Sequence, residues 1–239
     1  EMQVIRVGTF KSAVEPYILN EMSDANRLQQ ECYLGSIWSN LVADIAMSRN
    51  LTSADINQYA DSLVSLSQAH QFVEKKLADG LCYRYEMENK LRNPTKMKKD
   101  HDLKPATPSE VATTTKKEKS SKNKVAVFYA VGEIVDSGEG VDAGELTRNI
   151  IDAANDDDVK AVVLRVNSPG GSAFGSEQIW AALEEVKKAK KPFAVSMGGY
   201  AASGGYYISC GADRIFAEPT TITGSIGVFG MIPCFETLA

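Results

Sequence analysis

Nowhere in the 239 residues is there a run of about 18 apolar residues long enough to cross a bilayer as a helix. Nor is there a charged start followed by an apolar stretch and a small-residue cleavage site. These residues are therefore expected to fold without a bilayer, which leaves open how a longer parent is anchored. Histidine is scarce: His70 and His101 are the only two, and neither clusters with cysteines or carboxylates at ligand spacing, so no metal site is predicted. The four cysteines, Cys32, Cys82, Cys210 and Cys234, lie far apart without the paired spacing of a zinc ribbon or redox motif, and are expected to be core thiols. Positive charge is also short. With 26 basic against 31 acidic residues and a net charge of -5, there is no basic surface for a nucleic-acid partner. The chain opens on Glu1 rather than Met, with a strand-like VIRV already under way, so a preceding segment is expected.

What is present is enough apolar material for a core, at 44% hydrophobic, and a length compatible with one or two domains. Composition shifts at Asn93. Residues 93–124 carry no apolar periodicity, are rich in Lys, Thr, Ser and Pro, and have their lysines interrupted by Asp100, Asp102, Glu110 and Glu118. This stretch reads as a solvated flexible tether rather than a binding patch. Before it, Leu34, Ile37, Trp38, Leu41, Val42 and Ile45 form one apolar stripe on a helix from about Asp24 to Ser48, with Ser23 as its N-cap. Shorter helices follow, one after Ser53 and one from about Gln68 to Ala78, the latter stopped by Gly80.

After the tether, apolar strands (VAVFYAV, AVVLRV, FAVSM, RIFAE) alternate with helices over 143–155 and 174–190 and a short helix after FAVSM. The strands show few polar alternations. That suits a sheet covered on both faces in an α/β layered domain.

Two glycine-rich turns follow these strands and open onto helices: Asn167 to Ser172, and Gly198 to Gly205. In such domains ligands gather outside the carboxyl ends of strands, where N–H groups at helix starts point into the crevice. Glycines there allow close backbone approach and leave N–H groups to hold an oxyanion. Ser203 lies among them. The setting is like a nucleophile elbow although GxSxG is absent, and the plainer reading of AASGG is a small-residue turn packed for close helix approach. The first turn lacks GxxxxGK[ST], so no nucleotide cofactor is expected. A serine nucleophile needs a base. His70 falls in a helical stretch and His101 in the tether, so a lysine with lowered pKa is the better partner, but composition does not choose one among the 26 basic residues.

Taken together, RVNSPGGS, GGYAASGGYYIS and PTTITGSIGVFG resemble the signal peptide peptidase A family of Ser/Lys serine peptidases, also called protease IV. VGTFKSAVEPY is similar to the segment that carries that family's catalytic lysine. The resemblance covers nearly all of the chain except the tether. It implies a Clp protease/crotonase-like layered α/β fold containing parts of two tandem repeats. Residues 1–92 would be the mostly helical back of the first repeat, 93–124 the linker, and 125–239 the α/β front of the second.

The resemblance further implies that Ser203 is the nucleophile, Lys11 the general base, Gly171 and Gly204 the oxyanion donors, and Ser225 a hydroxyl that orients the lysine. A hydroxyl that merely caps a turn is the competing reading of Ser225. Substrates would be apolar peptides such as signal peptide remnants. The parent would be anchored in the bacterial inner membrane with its catalytic part outside the cytoplasm, assembled as a homo-oligomeric ring or bowl. As a central fragment, the chain would lack packing partners for each half. Two other readings share the sequence features: a crotonase-type acyl-CoA enzyme, which uses backbone oxyanion donors without a serine nucleophile, and a non-catalytic assembly or binding member of the fold.

Overall fold

The computed structural model of the chain describes residues 2–95, 106–114 and 121–234. It divides into two compact units, residues 1–40 with 121–239, and residues 41–120.

The first unit is built on the alternating strands and helices that come after the tether. β2 (Lys124–Val131), β5 (Val159–Ser168), β6 (Phe193–Ala202) and β7 (Arg214–Phe216) pair in parallel in that order. α6 (Ala143–Asn155) and α7 (Ala173–Lys188) make the crossovers. The expected helix over 143–155 is found with those bounds because Asp142 caps it, its side chain accepting from the Glu145 N–H. Period-2 geometry explains the core. Val162, Leu164 and Val166 of β5 and Phe193, Val195 and Met197 of β6 are buried together with Ile150 of α6 and Ile179, Leu183 and Val186 of α7.

The expectation of a sheet covered on both faces does not hold among the described residues. Val125, Val127, Tyr129 and Val131, alternating along β2, remain 49–69% exposed. A continuous apolar strand run does not reveal which of its faces is covered; α6 and α7 pack against one face only.

Short pieces complete this unit: β3 (Ile134–Val135) paired with β4 (Val141–Asp142), α8 (Gly204–Tyr207), and β8 (Ile222–Gly224), which extends beside the end of β6. β1 (Met2–Arg6) pairs antiparallel with β9 (Phe229–Pro233), so Val4 lies opposite Met231. That ribbon joins the two ends of the chain and fixes where the segment after β1 lies.

α1 (Asp24–Arg49) begins in the first unit, with Ser23 Oγ accepting from the Asn26 N–H at 3.1 Å. Its predicted stripe is largely solvent-facing: Leu34, Trp38, Leu41 and Ile45 are 39–53% exposed, while Val42 and Ala46 are buried. Periodicity locates the apolar face of a helix without supplying something to cover it.

The second unit contains α2 (Ser53–Asp61), α3 (Ala69–Glu74), α4 (Arg84–Thr95) and α5 (Pro108–Thr114). Its small core is Val42, Ala46 and Ile56 with Leu51, Tyr59 and Leu77 packed around. α3 stops at Glu74, earlier than Gly80 suggested, because Lys76 takes a left-handed conformation at φ 60°. Of the tether, residues 96–105 and 115–120 lie outside the described residues, and α5 occupies part of the rest.

The cysteines are not core thiols: Cys32 and Cys210 are exposed and Cys82 and Cys234 half-buried, with no disulfide among them. Cys32 sits on the solvent side of α1, and Cys210 comes after α8 at the surface with its thiol donating to the Tyr207 carbonyl at 3.1 Å.

Candidate active site

Ser203 stands at the junction of β6 and α8 with φ 53° and ψ −118°, a conformation that non-glycine residues rarely adopt. The turn is held from both sides. The Ser203 N–H donates to the Gly224 carbonyl at 2.8 Å, and its carbonyl accepts from the Tyr207 N–H at 2.9 Å. This is the geometry of a strand-to-helix elbow, reached without GxSxG.

The small residues around Ser203 are a packing requirement as well. A Cβ on Gly204 would lie 2.4 Å from Ser176 Oγ, one on Gly205 2.6 Å from the Ser168 carbonyl, and one on Gly170 2.6 Å from the Gly204 nitrogen. The plainer reading of AASGG is thus correct, and it describes the same turn.

Lys11 reaches Ser203 from 192 positions earlier in the sequence. The β1–β9 ribbon delivers it, and Gly227, at φ 130°, lets the backbone after β8 pass within reach of Val7 and the Lys11 side chain. Lys11 is only 5% exposed in a stretch whose other residues are mostly exposed. Its Nζ lies 3.2 Å from Ser203 Oγ, 2.8 Å from the Ser225 carbonyl oxygen and 3.1 Å from Ser225 Oγ. None of the ion pairs among the described residues involves Lys11. Burial without a counter-charge pushes its pKa below the ordinary 10.5.

Two flanking contacts fix the Lys11 turn. Arg6 Nη1 donates to the Lys11 carbonyl at 3.3 Å, and Glu15, 3% exposed, accepts from the Ser23 hydroxyl at 2.6 Å and from Asn26 Nδ2 at 3.0 Å. Ser225, at φ 50°, comes directly after Gly224 at φ 89°, and this left-handed pair turns the Ser225 carbonyl and hydroxyl toward the amine.

Gly171 and Gly204 line the same cleft as Lys11 and Ser203, a cavity of about 640 Å³. Gly171 is pinned beneath β3: the Ser172 N–H donates to the Ile134 carbonyl, and a Cβ on Gly171 would sit 2.1 Å from that oxygen. Gly204 opens α8, where an N–H has no intrahelical acceptor. Neither amide is taken up by a protein acceptor among the described residues.

The structure therefore brings Lys11, Ser203, Ser225, Gly171 and Gly204 to one cleft. His70 is exposed on α3 in the other unit, and His101 lies outside the described residues. Sequence reasoning missed the Ser225 carbonyl, the shortest contact of the amine, since a backbone oxygen leaves no residue-type signal. It also missed the rest of the cleft lining, which includes Ser176, Glu177, Tyr207, Ile226, Val228 and Phe229.

A parallel sheet with helical crossovers, its strand ends opening on glycine turns, is the layered α/β arrangement of Clp protease-like enzymes. The sequence model of "Peptidase family S49" matches residues 1–98 and 185–239, and the chain belongs to that family. It is 39% identical to a protein named "Protease 4" from Salmonella typhi over 98% of this chain and 39% of that protein. The identity is also 39% to "Protease 4" of Haemophilus influenzae, over 98% of this chain and 40% of the relative. A "Serine protease SPPA, chloroplastic" from Arabidopsis thaliana is 28% identical over 95% of this chain and 35% of its own length. The chain thus spans about two fifths of the length of the protease 4 relatives it matches.

Proposed function

We propose that this chain forms the catalytic centre of a serine peptidase that cleaves apolar peptides with a Ser/Lys dyad. The observation that carries this reading is the contact of 3.2 Å between Ser203 Oγ and the Nζ of a lysine that is 5% exposed. A neutral amine has two N–H donors and one lone pair. Nζ lies within donating distance of the Ser225 carbonyl, the Ser225 hydroxyl and the Ser203 hydroxyl; once the amine is neutral, donation to the two Ser225 oxygens leaves its lone pair for the Ser203 proton. Burial favours that form.

In the reaction, Ser203 Oγ bonds to the scissile carbonyl carbon while its proton passes to Lys11 Nζ. The Gly171 and Gly204 N–H groups receive the oxyanion, a contribution whose loss costs about 100- to 1,000-fold per donor. The tetrahedral species collapses as the C–N bond breaks and Lys11 returns the proton to the leaving amine. Water then attacks the acyl-serine, giving a proton to Lys11 that restores the Ser203 hydroxyl on product release.

The names of the relatives support peptide substrates, and the exposed apolar wall of Ile226, Val228 and Phe229 suits apolar ones such as cleaved signal peptides. In the same reading the parent is a ring or bowl of identical protomers anchored in the bacterial inner membrane with this cleft on the extracytoplasmic side. Residues 1–92 and 125–239 are then pieces of two repeats joined by 93–124. Among the described residues no helix is long and apolar enough to cross a membrane.

The test is turnover of a signal-peptide-like peptide by the complete protein and by its Lys11→Ala and Ser203→Ala variants at matched folding. Loss in both is expected. Activity that survives both overturns the dyad and moves the search to another site, whereas a wild type that cuts no peptide favours the crotonase-type or binding role.

A further inference from the structure

The cleft has an uneven distribution of charge that the dyad does not use. Of its lining side chains only Lys11 and Glu177 are ionic. Lys11 is buried and occupied by Ser203 and Ser225, whereas Glu177 is exposed at the cleft wall on the second turn of α7. The accessible charge of the cleft is therefore negative. It shares the cleft with an apolar part of the lining, Ile226, Val228 and Phe229, which are 72%, 59% and 42% exposed.

Glu177 is also held in place. One carboxylate oxygen, Oε2, accepts a hydrogen bond from the Tyr207 hydroxyl, and the Tyr207 ring stacks on Trp180 at 6.2 Å between centroids and 9° between planes. Tyr207 lies one turn beyond Ser203 on α8, its N–H bonded to the Ser203 carbonyl, and the residue before Glu177, Ser176, packs under Gly204. The carboxylate is thus tied through two short paths to the residues that carry the chemistry. Its other oxygen has no partner among the described residues, and a side chain already fixed gives up little rotamer freedom when it pairs.

Resting on the peptidase reading above, we propose that Glu177 makes this cleft select peptides in which a lysine or arginine lies close to the cleaved bond within an otherwise apolar segment. The apolar wall takes the neighbouring aliphatic side chains, and the stems of Lys and Arg are themselves apolar, so a basic residue can lie along the wall and place its head at Glu177. Because the carboxylate is exposed to water, the preference is modest, about two- to tenfold in kcat/KM, and weakens as salt screens it.

The experiment uses the complete protein and a set of apolar peptides that differ at single positions on either side of the cleaved bond, carrying lysine, its neutral isostere norleucine, or glutamate. At one position or more, lysine peptides are expected to be cut with higher kcat/KM than norleucine peptides and glutamate peptides with lower, through KM. Glu177→Gln keeps an acceptor for Tyr207 and removes the charge, so the lysine-to-norleucine ratio should fall to about one. Glu177→Lys should invert it. Equal cleavage of lysine and norleucine peptides by the wild type, or an unchanged ratio in Glu177→Gln, overturns the proposal while leaving the dyad intact. Failure to cut any of the peptides removes the peptidase reading and this inference with it.

Discussion

The guanidinium of Arg6 lies 3.6 Å from the buried carboxylate of Glu15 and also donates to the Lys11 carbonyl, so one residue at the end of β1 braces both ends of the turn that carries the amine. Glu15→Gln or Arg6→Met should displace Nζ from Ser203 and lower kcat about 10- to 100-fold, since small misplacements of reacting groups are costly. KM should change less than kcat, and steady-state kinetics beside a thermal melt separates this from unfolding. The Glu15 carboxylate is held below its ordinary 4.5, first by the Ser23 hydroxyl, so its stabilisation is complete above that value and is lost as pH falls through the lowered one.

Lys11 should make both activity and stability rise with pH. Its folded pKa lies below 10.5 through burial, so between the two values the unfolded chain binds more protons than the folded one and stability increases with pH. Activity should climb through the same lowered pKa as the free base forms. Urea midpoints of the wild type and Lys11→Met across pH 7 to about 10.5 test this: the variant should be the more stable at neutral pH, and the gap should close toward the alkaline end. A gap that does not vary with pH refutes it.

Ser203 holds its hydroxyl in the cleft at the cost of backbone strain at φ 53° and ψ −118°. Ser203→Ala keeps that strain and Ser203→Gly removes it. Both should be inactive, but the glycine variant should be the more stable by about 1 kcal/mol, the loss of strain being partly offset by the greater freedom of its unfolded chain. Denaturant titration of the pair measures the difference.

Gly170 is a position at which one added methyl group should act directly on the nucleophile's turn. With φ +99° and a Cβ placed 2.6 Å from the Gly204 nitrogen and 2.8 Å from Ser203 Cβ, Gly170→Ala should cost about 1 to 3 kcal/mol and at least tenfold in kcat. Gly230→Ala in β9, where a Cβ meets nothing within 4 Å, should leave stability within about 0.5 kcal/mol. Equal effects at the two sites would mean that the turn relaxes around the added atom.

Local chemistry written in the sequence was enough for the elements. Apolar runs gave the parallel strands, Ser23 gave the start of the long helix, and the crowding of small residues around Ser203 marked a turn where chains approach closely. Lys11 was legible only through resemblance of its segment, because nothing in a lysine's own neighbours announces burial. What the tertiary structure alone decided is long-range: the β1–β9 pairing that sets Lys11 against Ser203 across 192 positions, the Ser225 carbonyl turned to the amine, Glu177 bonded to Tyr207 in the cleft wall, and the sheet face left uncovered. Periodicity reports which side of a strand or helix is apolar, but contact partners, and the desolvation that shifts the Lys11 pKa, exist only once the chain has closed on itself.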